Sequence, residues 1–135
     1  MFEFHGWATI RDSAGYDSDT EVTASTVRAI QSLIEAENRS NHTADMRWAN
    51  GELHVWLAGF HNHKDDTVLR AYSRIAEIAS GSYGVLYVLD DDDLLRPNQW
   101  TRHVMRRGTV VAEDDESLSP HIGSVEDSSS QHQPQ

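Results

Sequence analysis

The sequence predicts an α+β fold built in the order β-α-β-β-α-β, and three observations carry that reading. Two stretches place apolar residues at helical spacing, four stretches are strand-like runs of β-branched and aromatic residues, and Asn50-Gly51 joins the two middle strands. Elements in that order form the split βαβ, or ferredoxin-like, arrangement: a mixed sheet with both helices on one face and the first and third strands central. An extra C-terminal hairpin extends it.

The opening Phe2-Glu3-Phe4-His5-Gly6-Trp7-Ala8-Thr9-Ile10 reads as a strand whose internal glycine marks a bulge or a close backbone approach. Arg11 to Asp19 is polar and reads as a loop. Ser18-Asp19-Thr20-Glu21 fits a capping box, and Val27, Ile30, Leu33, Ile34 and Glu37 then fall on one helical stripe. Met46-Arg47-Trp48 and Leu53-His54-Val55-Trp56-Leu57 alternate about the Asn50-Gly51 turn, which favours the positive φ angles of a tight hairpin.

Asp65 and Asp66 can cap a second helix carrying Val68, Leu69, Tyr72, Ile75, Ala76 and Ala79, with Gly81 as its stop. Gly84 to Leu89 is a nearly continuous apolar run, as expected of a strand covered on both faces. The last hairpin runs from Trp100 to Met105 and Thr109 to Ala112, turning near Arg107-Gly108. Trp7, Trp48 and Trp56 need not all be core; some are expected on the sheet face that the helices leave open, where aromatic rings form a binding surface.

Residues 1–123 are expected to form one domain, in which the acidic block Glu113-Asp114-Asp115-Glu116 leads into Leu118-Ser119-Pro120-His121-Ile122-Gly123. That segment has two apolar anchors and is expected to dock back. Residues 124–135, rich in Ser, Gln, His and Pro, read as a disordered polar tail.

Charge is the strongest bulk signal. Asp and Glu number 22 against 11 Lys and Arg, a net charge of -11, which disfavours nucleic acid and anionic membrane and favours a basic partner. The imbalance is concentrated late: residues 90–135 hold 10 acids and 4 bases. There is no cysteine, which excludes disulfides, thiolate zinc sites and a cysteine nucleophile. No apolar run approaches a membrane span, and the start lacks the basic and apolar regions of an export signal. A cytoplasmic protein is expected.

The candidate partner-binding residues are Asp90, Asp91, Asp92 and Asp93, with Trp100 beside them and Glu113, Asp114 and Asp115 further on. Adjacent acids can steer a basic protein to dock. A solvated charge run is the plainer reading of such a stretch. The aspartate run lacks the spaced acids and glycine turn of a calcium loop. His61 and His63 are the best candidate metal ligands, pointing the same way if the strand continues through them; solvated loop histidines are the plainer reading. His5 and Trp7 could face a ligand or simply pack. Arg102, Arg106 and Arg107 suit ion pairs within the last hairpin.

No phosphate-cradling loop, nucleophile elbow or paired histidine–glutamate motif is present, and nothing calls for a cofactor. A generic acidic binding or regulatory module, a small hydrolase and a metal-binding protein are the readings that these residues leave open.

Several short motifs occur together in order: Phe2-Glu3-Phe4-His5-Gly6-Trp7, Ser82-Tyr83-Gly84-Val85-Leu86-Tyr87-Val88 running into Asp90 and Asp91, Arg107-Gly108, Leu118-Ser119-Pro120, and Glu126-Asp127. In this the chain resembles the immunity protein 7 family of bacterial polymorphic toxin systems. The aspartate run is longer than the family pattern, and the tail after Asp127 is an extension. The resemblance implies a cytosolic, non-catalytic protein that binds and neutralises a cognate toxin. A nuclease toxin, with its basic substrate surface, would suit an acidic inhibitor.

Overall fold

The computed structural model describes residues 1–13, 22–41 and 43–123. Its elements run β1 (Phe2–Ile10), α1 (Ala24–Asn41), β2 (Ala44–Ala49), β3 (Glu52–His61), α2 (Asp66–Ile78), β4 (Tyr83–Asp90), β5 (Trp100–Arg106) and β6 (Thr109–Asp114). The β-α-β-β-α-β core and the added C-terminal hairpin are those expected. The six strands form one sheet in the order β2-β3-β1-β4-β5-β6.

All five pairings are antiparallel, so the sheet has no parallel ladder, contrary to the expectation of a mixed sheet. The order explains this. β1 and β2 run the same way but β3 lies between them, and β3 and β4 run the same way but β1 lies between them. The hairpin β5–β6 adds to β4 and leaves β1 and β4 at the centre.

Period-2 alternation divides the sheet into two faces. Phe2, Phe4, Ala8 and Ile10 of β1, Leu53, Val55 and Leu57 of β3, and Leu86 and Val88 of β4 point to the helix side and are buried. They pack with Ile30 and Ile34 of α1 and Val68, Tyr72 and Ile75 of α2. Tyr72 also donates its hydroxyl to the Trp7 carbonyl at 2.8 Å, which satisfies a buried phenol.

Both hairpins turn on the same chemistry. Asn50 and Gly51 have φ of 53° and 78°, and Arg107 and Gly108 have 51° and 79°, the double positive φ of a two-residue turn matched to strand twist. Gly6 marks a close approach and not a bulge, because the β1 register is unbroken. A Cβ there would lie 2.6 Å from Leu86 Cδ1 and 2.8 Å from its Cα.

Three local expectations change, and two others are not tested. The capping box Ser18–Glu21 lies outside the described residues, as does the tail 124–135. At the start of α1, Thr23 Oγ1 accepts from the Thr26 amide at 3.3 Å, while the Thr23 amide donates to Asp12 at 2.9 Å. α2 is capped by Asp65 as expected but ends at Ile78, short of Gly81. Gly81 serves a different contact: its amide donates to the Arg11 carbonyl at 3.0 Å, and a Cβ would strike the Ser13 carbonyl at 2.1 Å.

β4 is not covered on both faces. Gly84, Leu86 and Val88 are buried under the helices, whereas Val85 and Tyr87 on the opposite side are only partly covered. Leu89 alone on that side is sealed. Lastly, the 115–122 segment does dock, but not by its apolar anchors: Leu118 and Ile122 remain half-exposed, and polar bonds from Ser119 and His121 hold it.

Candidate functional site

Strand register collects the charged residues. Leu89 of β4 faces Trp100 of β5, Thr101 faces Asp114 of β6, and Phe2 lies between His61 and Asp90. Asp90–Asp93, Glu113–Glu116, His61 and His63 therefore gather at one end of the sheet, although they are far apart in sequence.

The turn after β4 is built by its own aspartates. Asp90 accepts from the Asp92 amide at 3.1 Å, and Asp93 Oδ1 accepts from the amides of Leu95 and Arg96 at 2.9 and 3.2 Å. The Asp91 amide donates to the Met1 carbonyl at 3.2 Å, which ties the turn to the start of β1. Side-chain acceptors of this kind substitute for backbone partners and fix a loop locally.

Such a loop has no interior, and Leu94 and Leu95 stand out from it, 97% and 89% exposed. Two adjacent leucines in solvent, bordered by aspartates, are an unusual place for apolar surface. Neither residue belongs to a helix or strand that would bury it.

The carboxylates around them are partly engaged. Asp91 sits 2.5 Å from the N-terminal ammonium, and Asp92 lies 3.1 Å from His63 Nδ1. The His63 hydrogen bond, and then the N-terminal charge, hold the Asp92 carboxyl below its ordinary value. Backbone donors from Leu95 and Arg96 do the same for Asp93. Asp90, Asp91 and Asp92 bring one oxygen each within 4.8 Å of one another, an exposed acidic cluster. Arg96 pairs with Asp114, linking this loop to β6.

Trp100 and Asp115, expected to meet a partner, are committed inward instead. Trp100 is 7% exposed: its amide donates to Ser119 Oγ at 2.9 Å and its indole to His121 Nδ1 at 3.1 Å. Asp115 is 2% exposed and binds Ser117 Oγ at 2.8 Å, the Leu118 amide at 2.9 Å and Arg102 at 3.3 Å. Burial would raise the Asp115 carboxyl, but these donors outweigh it and hold the group below the ordinary carboxylate value. Both residues fasten the C-terminal segment. Glu113 and Asp114 stay exposed, with Glu113 paired to Arg102 at 3.0 Å across the hairpin as expected.

His61 and His63 do not converge. β3 ends at His61, whose half-covered ring lies edge-on to Phe4 and 3.4 Å from Asp65, while His63 swings out to Asp92. Neither belongs to a three-ligand cluster among the described residues.

A second surface is the sheet face without helices. Trp7, Trp56, Phe60 and Tyr83 are exposed there, Trp7 facing Trp56 across β1–β3 and meeting Tyr83 edge-on at 6.0 Å. Trp48 is exposed too, but it pairs with Leu53 and so lies on the other side. The concavities are shallow. One groove of about 600 Å³ lies along α1 and α2 beside Leu33, Glu37, Leu69 and Arg70. A second, of about 500 Å³, separates the Leu95–Gln99 stretch from Glu116, Ser119 and Pro120. No histidine lines either one.

Comparison with protein families decides the general class. The model of Immunity protein 7 (Imm7) matches residues 1–127. The chain belongs to the Imm7 family. Its general role is therefore that of an immunity protein, in a family of binding proteins that neutralise toxins. No curated protein gives a significant match. No solved structure does either. No helix among the described residues is long and apolar enough to cross a membrane. The match extends over the acidic end and the docked C-terminal segment, so both features lie within the Imm7 region.

Proposed function

We propose that this Imm7 protein neutralises its cognate toxin in the cytoplasm by stoichiometric, non-catalytic association, using the acidic end of the sheet. The exposed Leu94-Leu95 pair within a rim of aspartates carries this reading. Tight interfaces concentrate their energy in a few apolar anchors that become fully desolvated, while surrounding charges govern orientation and encounter rate. Here the anchors are the two leucines and the rim is Asp90–Asp93 with Glu113 and Asp114.

The rim favours a basic partner. A nuclease toxin fits that requirement, because its substrate surface must attract phosphates, and carboxylates held in their ionised form would compete for the same sites. The fixed turn around Asp93 supports the reading further, since a preformed loop loses little entropy on binding.

Co-expression with the toxin encoded beside this chain tests the proposal. The wild-type chain restores survival. Leu94→Ser with Leu95→Ser reduces that protection while the protein remains folded, because neither side chain is packed in the free structure. Equal survival with and without the wild-type chain would refute the role, and full protection by the double variant would remove the loop from the site.

The aromatic sheet face supports a second reading, in which the toxin covers Trp7, Trp56 and Phe60. In that case Trp56→Ser and Phe60→Ser weaken capture and the leucine variants do not.

A further inference from the structure

The last strand, β6, is an edge whose outer side meets no other strand among the described residues. Among the described residues it pairs only with β5, in an unbroken register from Arg106–Thr109 to Thr101–Asp114. The two-residue turn makes Arg106–Thr109 a mutually hydrogen-bonded pair, so by alternation Val111 and Glu113 also bond inward. The Asp115 amide follows the same phase, donating to the Trp100 carbonyl at 2.9 Å. Val110, Ala112 and Asp114 therefore turn their backbone N–H and C=O groups outward. Thr109-Val110-Val111-Ala112-Glu113-Asp114 has no proline, lysine or bulge of the kind that usually blunts an edge. Val111 is more than half exposed.

The charges along this edge are polar in the directional sense. At its start, exposed Arg106 and Arg107 have no ion-pair partner among the described residues, and at its far end neither does exposed Glu116, beside Glu113 and Asp114. The other edge strand, β2, differs: its Arg47 is already paired with its own Asp45 at 2.7 Å. A strand that is basic at one end and acidic at the other is complementary to itself when reversed.

We infer that β6 pairs antiparallel with β6 of a second copy of this chain, forming a two-fold dimer with one continuous sheet. A two-fold axis at Val111 lets the outward groups of Val110 and Ala112 bond across the interface. It stacks Val111 on its counterpart, sets Thr109 opposite Glu113, and brings the Arg107 turn of one copy towards Glu116 of the other. An isologous contact of this type closes on itself and forms no fibre. The aromatic faces of both copies lie on the same side, and the Asp90–Asp93 turns with Leu94 and Leu95, which follow β4, stay clear of the seam. The inference is independent of which toxin is bound.

Sedimentation equilibrium of the full chain tests it. The mass rises from 15.2 kDa towards twice that value with concentration. Ala112→Pro removes an outward N–H without touching the β5 ladder, and Val111→Lys places like charges face to face; each raises the dimer dissociation constant about tenfold or more. Arg107→Asp, chosen because aspartate tolerates positive φ, and Glu116→Lys each weaken the dimer, and the two together restore it. Circular dichroism checks folding, and should Ala112→Pro unfold, the lysine and charge-swap variants decide. A mass fixed at 15.2 kDa up to about 200 µM overturns the inference. So does a dimer indifferent to Val111→Lys and the charge swap, or a monomer whose Ala112→Pro variant loses only toxin capture, which would assign the edge to the toxin.

Discussion

His103 shows how burial at one residue sets a pH response for the whole chain. It sits on the helix side of β5, opposite Leu86 and Ala112, and burial, with Lys64 as a smaller influence, holds its imidazole below the usual 6.5. The unfolded chain then binds the proton more readily than the folded one. Stability is complete above about pH 6.5 and falls as pH drops from there towards the depressed folded value. Urea midpoints at about pH 7.5 and 5.5 measure this: the wild type loses stability on acidification, and His103→Gln loses less. Asp12, Asp92, Asp93 and Asp115 act lower on the scale, all held below the ordinary 3.8. Their contribution is present above that value and disappears as pH falls through their folded values, so a second loss appears only in strong acid.

At the scale of the element, the hairpins separate backbone preference from packing. Gly51 has φ of 78° and no atom within 4 Å of where a Cβ would be, so Gly51→Ala isolates the conformational cost, about 1 kcal/mol. Thermal unfolding measures it, and no change in midpoint would mean that the turn relaxes to another type. Elements like this one were legible in the sequence because their cause is local: Asn-Gly for the turn, aromatic and β-branched residues for β1, Asp65 for the start of α2. Elements with a distant cause were not. The α1 cap depends on Asp12 meeting Thr23, eleven residues on. Trp100 looks like a surface anchor until Ser119 and His121 close over it, and Asp115 looks like part of a charge block until Arg102 and Ser117 enclose it. Leu94 and Leu95 have no local cause that marks a fixed loop; the bonds from the Leu95 and Arg96 amides to Asp93 make it one.

Across the whole molecule, the net charge of -11 is unevenly spread, and the register gathers much of it at one end of the sheet. A field of that shape accelerates encounter with a basic partner more than it tightens the final complex. Changing Asp90–Asp93 to Asn slows association with the toxin about tenfold at low salt, and the difference shrinks once the Debye length falls below about 10 Å. Leu94→Ala and Leu95→Ala act instead on dissociation, since apolar anchors govern how long a complex lasts. Stopped-flow or surface-based kinetics separate the two effects. The first half of the account, charge, was readable from composition; the second, the apolar anchors, required the fold.

The central claim is that this Imm7 protein disarms its toxin by occupying it. Titrating a fixed amount of toxin with increasing amounts of the chain, and following residual toxin activity, tests this directly. Occupation predicts a linear fall to zero at a fixed molar ratio, independent of incubation time once mixing is complete, with the Leu94→Ser, Leu95→Ser variant failing to reach the endpoint. Progressive, time-dependent inactivation by far less than an equivalent of the chain would contradict it and make the protein an enzyme acting on its toxin.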